Sequence, residues 1–185
     1  MNKYLILLAV IALSCGNTVS KSAIEPKSET NLELEGVQKD MLLGEFQKEE
    51  LQQKPFSAWF TPRYNKFSPE TDAMATIKEN IGDYDIKVLM GTWCGDSKRE
   101  VPKFLKLLDD AQYDYDKLNM VAVDYNKQTP SKIEEKLEVH RVPTIIFYKD
   151  GKEVNRFVEY SRGESIEEDI AKIVSGKEYK NSYTN

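Results

Sequence analysis

Residues 86–92 constrain this chain most: they form a largely apolar run with no two-residue alternation. Such a strand has no face to offer water, so it belongs in a sheet covered by helices on both sides. The neighbouring segments fit that requirement. Over 96–110, Val101, Phe104, Leu105, Leu107 and Leu108 recur at helical spacing against Lys98, Arg99, Lys103 and Lys106, and Pro102 predicts a bend. Upstream, Ser68-Pro69-Glu70 places a capping side chain, a preset first helical residue and an acid in the order that starts a helix, predicted over 69–81. Downstream, 120–123 reads as a buried strand and 131–137 as a short helix. Residues 144–148 and 153–158 then read as strands joined by a tight Asp150-Gly151 turn. A helix over 165–174, ended near Gly176, closes the pattern. Strands alternating with helices, followed by a hairpin, predict an α/β fold with a mixed sheet.

The 185 residues, 40% hydrophobic and 31% charged, suffice for one globular domain with extensions. The net charge is -5 and the basic residues are interleaved with acids, which excludes a nucleic-acid binder of the usual basic-patch kind. At the start, Lys3, an apolar run over 4–13 and small residues have the layout of a secretory leader over 1–14. That run is shorter than the ~20 residues a bilayer-spanning helix needs. Residues 15–40 are polar and aperiodic and read as a tether. Residues 41–55 read as a helical extension, with Leu42, Leu43, Phe46 and Leu51 on one helical face. Phe56, Trp59 and Phe60 suit a short edge strand before a loop over 62–67. The main domain is then 56–176, and 177–185 is a tail.

At the end of the buried run stands Trp93-Cys94-Gly95-Asp96-Ser97, with Pro102 a helical stretch later and Val142-Pro143-Thr144 downstream. On these three features the domain resembles the thioredoxin family, which implies a thioredoxin fold with a mixed central sheet flanked by helices on both faces. The resemblance makes Cys94 the nucleophile and Val142-Pro143-Thr144 the cis-proline loop that faces it. Lys98-Arg99-Glu100-Val101-Pro102 resembles the Glu-x-Pro element of membrane-anchored thiol reductases of the TlpA/ResA kind, which would put Glu100 near the thiol. The stretch between Ser97 and Pro143 is too short for the insertion those reductases carry, so the core is closer to plain thioredoxin. Two departures stand out. Ser97 occupies the place of the resolving cysteine, and Val88 that of a buried proton-moving aspartate. Ala12-Leu13-Ser14-Cys15-Gly16 resembles the cleavage box of bacterial lipoproteins, with Ala12 where leucine is usual. Cys15 would then carry lipid, and several acyl chains would hold the protein on an envelope membrane. Ordinary secretion to a soluble periplasmic or external state, and a Cys15–Cys94 disulfide, are the alternatives.

A thiol attacks only as thiolate. The positive end of the helix that begins at Cys94 favours the anion by about 0.3–1 kcal/mol, and the Ser97 hydroxyl is placed to donate to it. Against this, an Asp96 carboxylate roughly 7 Å away costs about 0.6 kcal/mol in water and ~2.4 at an effective dielectric of 20. The effects are comparable, which predicts a modestly acidic thiol. Thiol–disulfide exchange by one sulfur stops at a mixed disulfide until another thiol arrives. The expected partners are protein disulfides or small-molecule thiols, met by a monomer without cofactor. Cys94, Ser97 and Glu100 are the candidate catalytic residues, and Trp93, Gly95, Asp96, Val142 and Pro143 the candidate client contacts. A rival reading is a binding module that retains clients in the cis-proline groove. Peroxide reduction lacks a recognisable resolving cysteine or activating arginine. His140 reads as a loop residue, and one histidine with one available cysteine makes no zinc site.

Overall fold

The computed structural model describes residues 41–162 and 165–184; the leader and tether, Cys15 included, lie outside the described residues. Along these residues the strands are β1 (Gly44–Phe46), β2 (Asp85–Met90), β3 (Leu118–Ala122), β4 (Thr144–Lys149) and β5 (Lys152–Val158). The helices are α1 (Lys48–Leu51), α2 (Ser57–Lys66), α3 (Thr71–Asn80), α4 (Gly95–Asp110), α5 (Ile133–Lys136) and α6 (Ile166–Val174). The sheet order is β1-β3-β2-β4-β5, with β2 and β3 parallel and the other pairs antiparallel. This is the thioredoxin fold.

The missing alternation in β2 has the expected cause. Ile86, Val88 and Met90 join the large core made with α2, α3, α4 and α6. Leu89 joins Val121, Ile146 and Val142 in a smaller core on the other face, closed by Ile133 and Leu137 around α5. Both faces are covered, unequally. In the β4–β5 turn, Asp150 and Gly151 both have left-handed backbones, at φ 52° and 73°, the geometry that makes this pair a tight hairpin. Helix α6 starts on a reciprocal cap between Ser165 and Glu168.

The N-terminal part differs from the sequence expectation. Instead of a helix over 41–53, residues Gly44–Phe46 pair with β3, and helix is confined to α1. Gly44 at φ +85° cannot continue a helix, and the open edge of β3 offers its backbone partners instead. Residues 56–60 do not form an edge strand, and 62–67 is not a loop; both belong mainly to α2. Phe56, Phe60 and Tyr64 stand four residues apart, so their spacing is helical. Phe60 is fully buried, and its ring stacks on that of Tyr64 at 5.5 Å. Burying Phe56 and Phe60 contributes about 1.5–3 kcal/mol each, enough to offset the ~3 kcal/mol that Pro62 costs inside the helix. Helix α3 is capped by Glu70, whose carboxylate accepts from the Ala73 N–H at 2.9 Å, and not by Ser68.

Asp109 ties these added helices to α4. It accepts hydrogen bonds from Lys48 and Tyr64, and from the Tyr115 hydroxyl at 2.9 Å. Burial works to raise its carboxyl, but the donors from Lys48, Tyr64 and Tyr115 prevail and hold it below the usual aspartate range. A carboxyl depressed in the folded state stabilises above its unfolded pKa and loses that contribution as pH falls through the folded value. Asp109→Ala is therefore expected to cost about 1–2 kcal/mol in denaturant unfolding at pH 7, screening discounted. The gap from wild type should narrow below about pH 4.

Candidate functional site

Strand β2 ends at Met90, and the next four residues carry the chain over the sheet edge into α4. Cys94 is the cap residue of α4, extended at φ -74° and ψ 129°. Its N–H donates to the Gly91 carbonyl at 2.9 Å, and its carbonyl accepts from the Lys98 N–H at 3.0 Å. Three side chains fix the loop, Thr92 and Trp93 from within it and Ser97 from α4. The Ser97 hydroxyl accepts from the Gly91 N–H at 3.2 Å, and Thr92 Oγ1 accepts from the Leu42 N–H at 3.2 Å. The Trp93 indole N–H donates to the Val123 carbonyl at 3.0 Å. Because β1 runs against β3, pairing Gly44 with Ala122, its leading end reaches the sheet edge that carries Cys94.

Cys94 is a free, half-buried thiol. Its Sγ donates to the Val142 carbonyl at 3.2 Å, across the cis Val142–Pro143 bond of the loop before β4. The structure thus brings together Cys94, Val142 and Pro143, residues 48 positions apart in sequence, with Trp93 and the exposed Gly95 beside them. The Val142–Pro143 loop is itself braced: Thr144 Oγ1 donates to the Arg141 carbonyl at 2.7 Å, and the Glu159 N–H to the Pro143 carbonyl at 2.8 Å.

Ser97, Asp96 and Glu100 take positions that spacing alone did not predict. Ser97 is fully buried, and among the described residues no hydrogen bond joins it to Cys94; its oxygen serves Gly91 instead. Asp96 pairs with Arg99 at 2.6 Å, so its charge is compensated one turn away rather than left to oppose a thiolate. Glu100, 4% exposed, pairs with Arg99 at 2.5 Å and Lys103 at 3.1 Å. It lines a cavity of about 240 Å3 with Tyr160 and Ser161, a lining that does not include Cys94. Val88 is fully buried in the large core, where it has no proton to move. His140 is an exposed loop residue. Among the described residues no cluster of His, Cys, Asp and Glu could hold a metal ion, and no helix is long and apolar enough to cross a membrane.

Sequence reasoning missed Tyr125, Arg141 and Tyr183. Tyr125, 58% exposed, lies against Trp93 with ring centroids 5.2 Å apart. Only its position just beyond a predicted strand could have drawn attention to it. Gly91 was also missed: a Cβ there would stand 2.6 Å from Trp93 Cε2, so only glycine lets the indole lie over the loop. Gly91→Ala should displace Trp93, changing its fluorescence, and lower stability by about 1–3 kcal/mol in denaturant unfolding. An unchanged emission spectrum and midpoint would show that the loop yields freely.

The thioredoxin family model matches residues 68–172, more than half of the chain. A thioredoxin of Staphylococcus aureus is 34% identical over 107 residues, covering 54% of this chain and 98% of that protein. Among solved structures, a protein of unknown function from Pseudomonas aeruginosa overlays with a TM-score of 0.52 at 10% identity, covering 65% of this chain and 84% of that one, a likeness of fold alone. With the sheet order, the helix-capping cysteine and the cis-proline loop in place, the family-model match and the Staphylococcus aureus relative show that the chain belongs to the thioredoxin family.

Proposed function

We propose that this protein performs thiol–disulfide exchange through Cys94 alone, outside the cytoplasm, from a lipid anchor in a membrane of the bacterial cell envelope. The observation that carries the chemistry is the placement of one half-buried thiol at the start of α4, touching the cis-proline loop, with a buried hydroxyl at Ser97. In the exchange, the Cys94 thiolate attacks one sulfur of a client disulfide, a Cys94–client bond forms, and the second client sulfur leaves as thiolate. Release requires a second thiol, from the client or a small molecule, to attack that bond and return Cys94 as thiolate. The likeness to a thioredoxin supports disulfides and thiols as the partner class.

Ser97 supports slow release, because an enclosed hydroxyl cannot displace sulfur. It also favours a second reading, a module that holds clients in the groove beside Pro143 without turnover. Two variants separate the readings. Cys94→Ala should reduce mixed disulfides with a disulfide peptide to background; unchanged peptide affinity with no covalent adduct in the wild type would favour the binding module. Ser97→Cys should shorten the life of the adduct by orders of magnitude, since an adjacent thiol competes at an effective concentration far above that of free thiols. A Ser97→Cys variant that is inert towards the disulfide peptide would count against exchange and favour the binding module.

Anchoring rests on Ala12-Leu13-Ser14-Cys15-Gly16 and the leader before it. Mass spectrometry of the mature amino terminus should find diacylglycerol on Cys15. An unmodified terminus elsewhere would replace the anchor with plain secretion.

A further inference from the structure

The tail after α6 lies beyond the part matched by the family model, yet it returns to the loop that meets the thiol. Ser182 is buried at 3% exposure, and its hydroxyl donates to the Tyr160 carbonyl. Tyr183, 41% exposed, gains little from burial, but three groups hold it. Its hydroxyl donates to the Glu159 carboxylate, its ring lies 3.8 Å from the Arg141 guanidinium carbon, and it meets the Tyr160 ring edge-on at 6.3 Å. Arg141 and Glu159 also pair with each other at 3.5 Å.

Glu159 is the hub of this contact. It has a left-handed backbone at φ 60°, a conformation uncommon for a non-glycine residue and kept only where the surroundings impose it. Its N–H donates to the Pro143 carbonyl at 2.8 Å, while its side chain takes Tyr183 and Arg141. Arg141 directly precedes Val142, whose carbonyl receives the Cys94 thiol at 3.2 Å. Contacts therefore run without a gap from the tail, through Glu159 and Arg141, to the sulfur.

We propose that Tyr183 is a positioning residue for Cys94: by holding Glu159 and Arg141 it keeps the Val142 carbonyl within reach of the thiol. The inference rests on the reading of Cys94 as the reactive group, but its test does not require exchange to occur. The S–H bond to the carbonyl draws the sulfur against the loop and engages the hydrogen that must leave before the thiol can react. Asp96 is paired with Arg99 on α4 and Glu159 with Arg141 on the loop side, and the tail reaches the thiol through the second pair. Loosening the tail should free the sulfur from that contact and speed alkylation.

Alkylation of the full chain by iodoacetamide, followed at Cys94 by mass spectrometry of the peptide that carries it, tests this. The hydrogen bond to Glu159 pushes Tyr183 up to about 12, so near neutral pH the tyrosine keeps the proton it donates. Tyr183→Ala should react roughly 2–5-fold faster at pH 7, the size expected for losing one weak hydrogen bond. Tyr183→Phe, which keeps the ring against Arg141, should fall between that variant and wild type. It also guards against a fold defect, since circular dichroism should match wild type. Unchanged or slower alkylation in both folded variants would overturn the proposal. Tail-sensitive alkylation in a protein that forms no mixed disulfides would leave the positioning role standing and remove the exchange reading.

Discussion

The contact between Cys94 Sγ and the Val142 carbonyl is the point on which the molecule's organisation turns. It joins the end of a parallel strand to the loop that opens an antiparallel one, and each side is separately fixed. Loop 91–94 is held by Ser97, Leu42 and Val123, and the Val142–Pro143 loop by Thr144 and Glu159. A thiol at a helix start is useful only if a disulfide can reach it, and only a rigid surrounding keeps the geometry of attack the same from one encounter to the next. The large core supplies that rigidity from beneath, since β2 is buried on both faces up to the residue where the chain turns outward.

Around this site the chain has added structure at both ends. Leu42, just before β1, lends its N–H to Thr92, and helices α1 and α2 are clasped to α4 through Asp109. The tail reaches Glu159 and Arg141 on the opposite side. The same network accounts for the charges near the thiol: Asp96 and Glu100 share Arg99, and Glu100 also takes Lys103. Acids that look threatening to an anion in the linear chain are thus neutralised by cations on the same helix, and Ser97 gives its oxygen to the loop instead of to the sulfur.

Much of this was legible in the chain where the signal is local. The unalternating run of β2, the helical period of α4, the Asp150-Gly151 turn and the closing helix over 165–174 each follow from contacts within a few residues. Misreadings arose where a segment's fate depends on distant partners. Residues 56–60 have a composition that suits a strand, but the four-residue spacing of Phe56, Phe60 and Tyr64 prevails once α4 is there to receive it. Gly44–Phe46 becomes a strand because β3 has a free edge, which no local pattern announces.

Sequence by itself determined the α/β class, the position of Cys94 at a strand-to-helix junction, and the absence of a second sulfur at Ser97, because these follow from short-range periodicity and residue identity. Tertiary structure alone decided that Val142 accepts from the thiol, that Asp96 and Glu100 are paired, and that Tyr125, Arg141 and Tyr183 stand around the site. Those contacts join residues far apart along the chain, and only the packing of the sheet and its loops brings them within hydrogen-bonding distance.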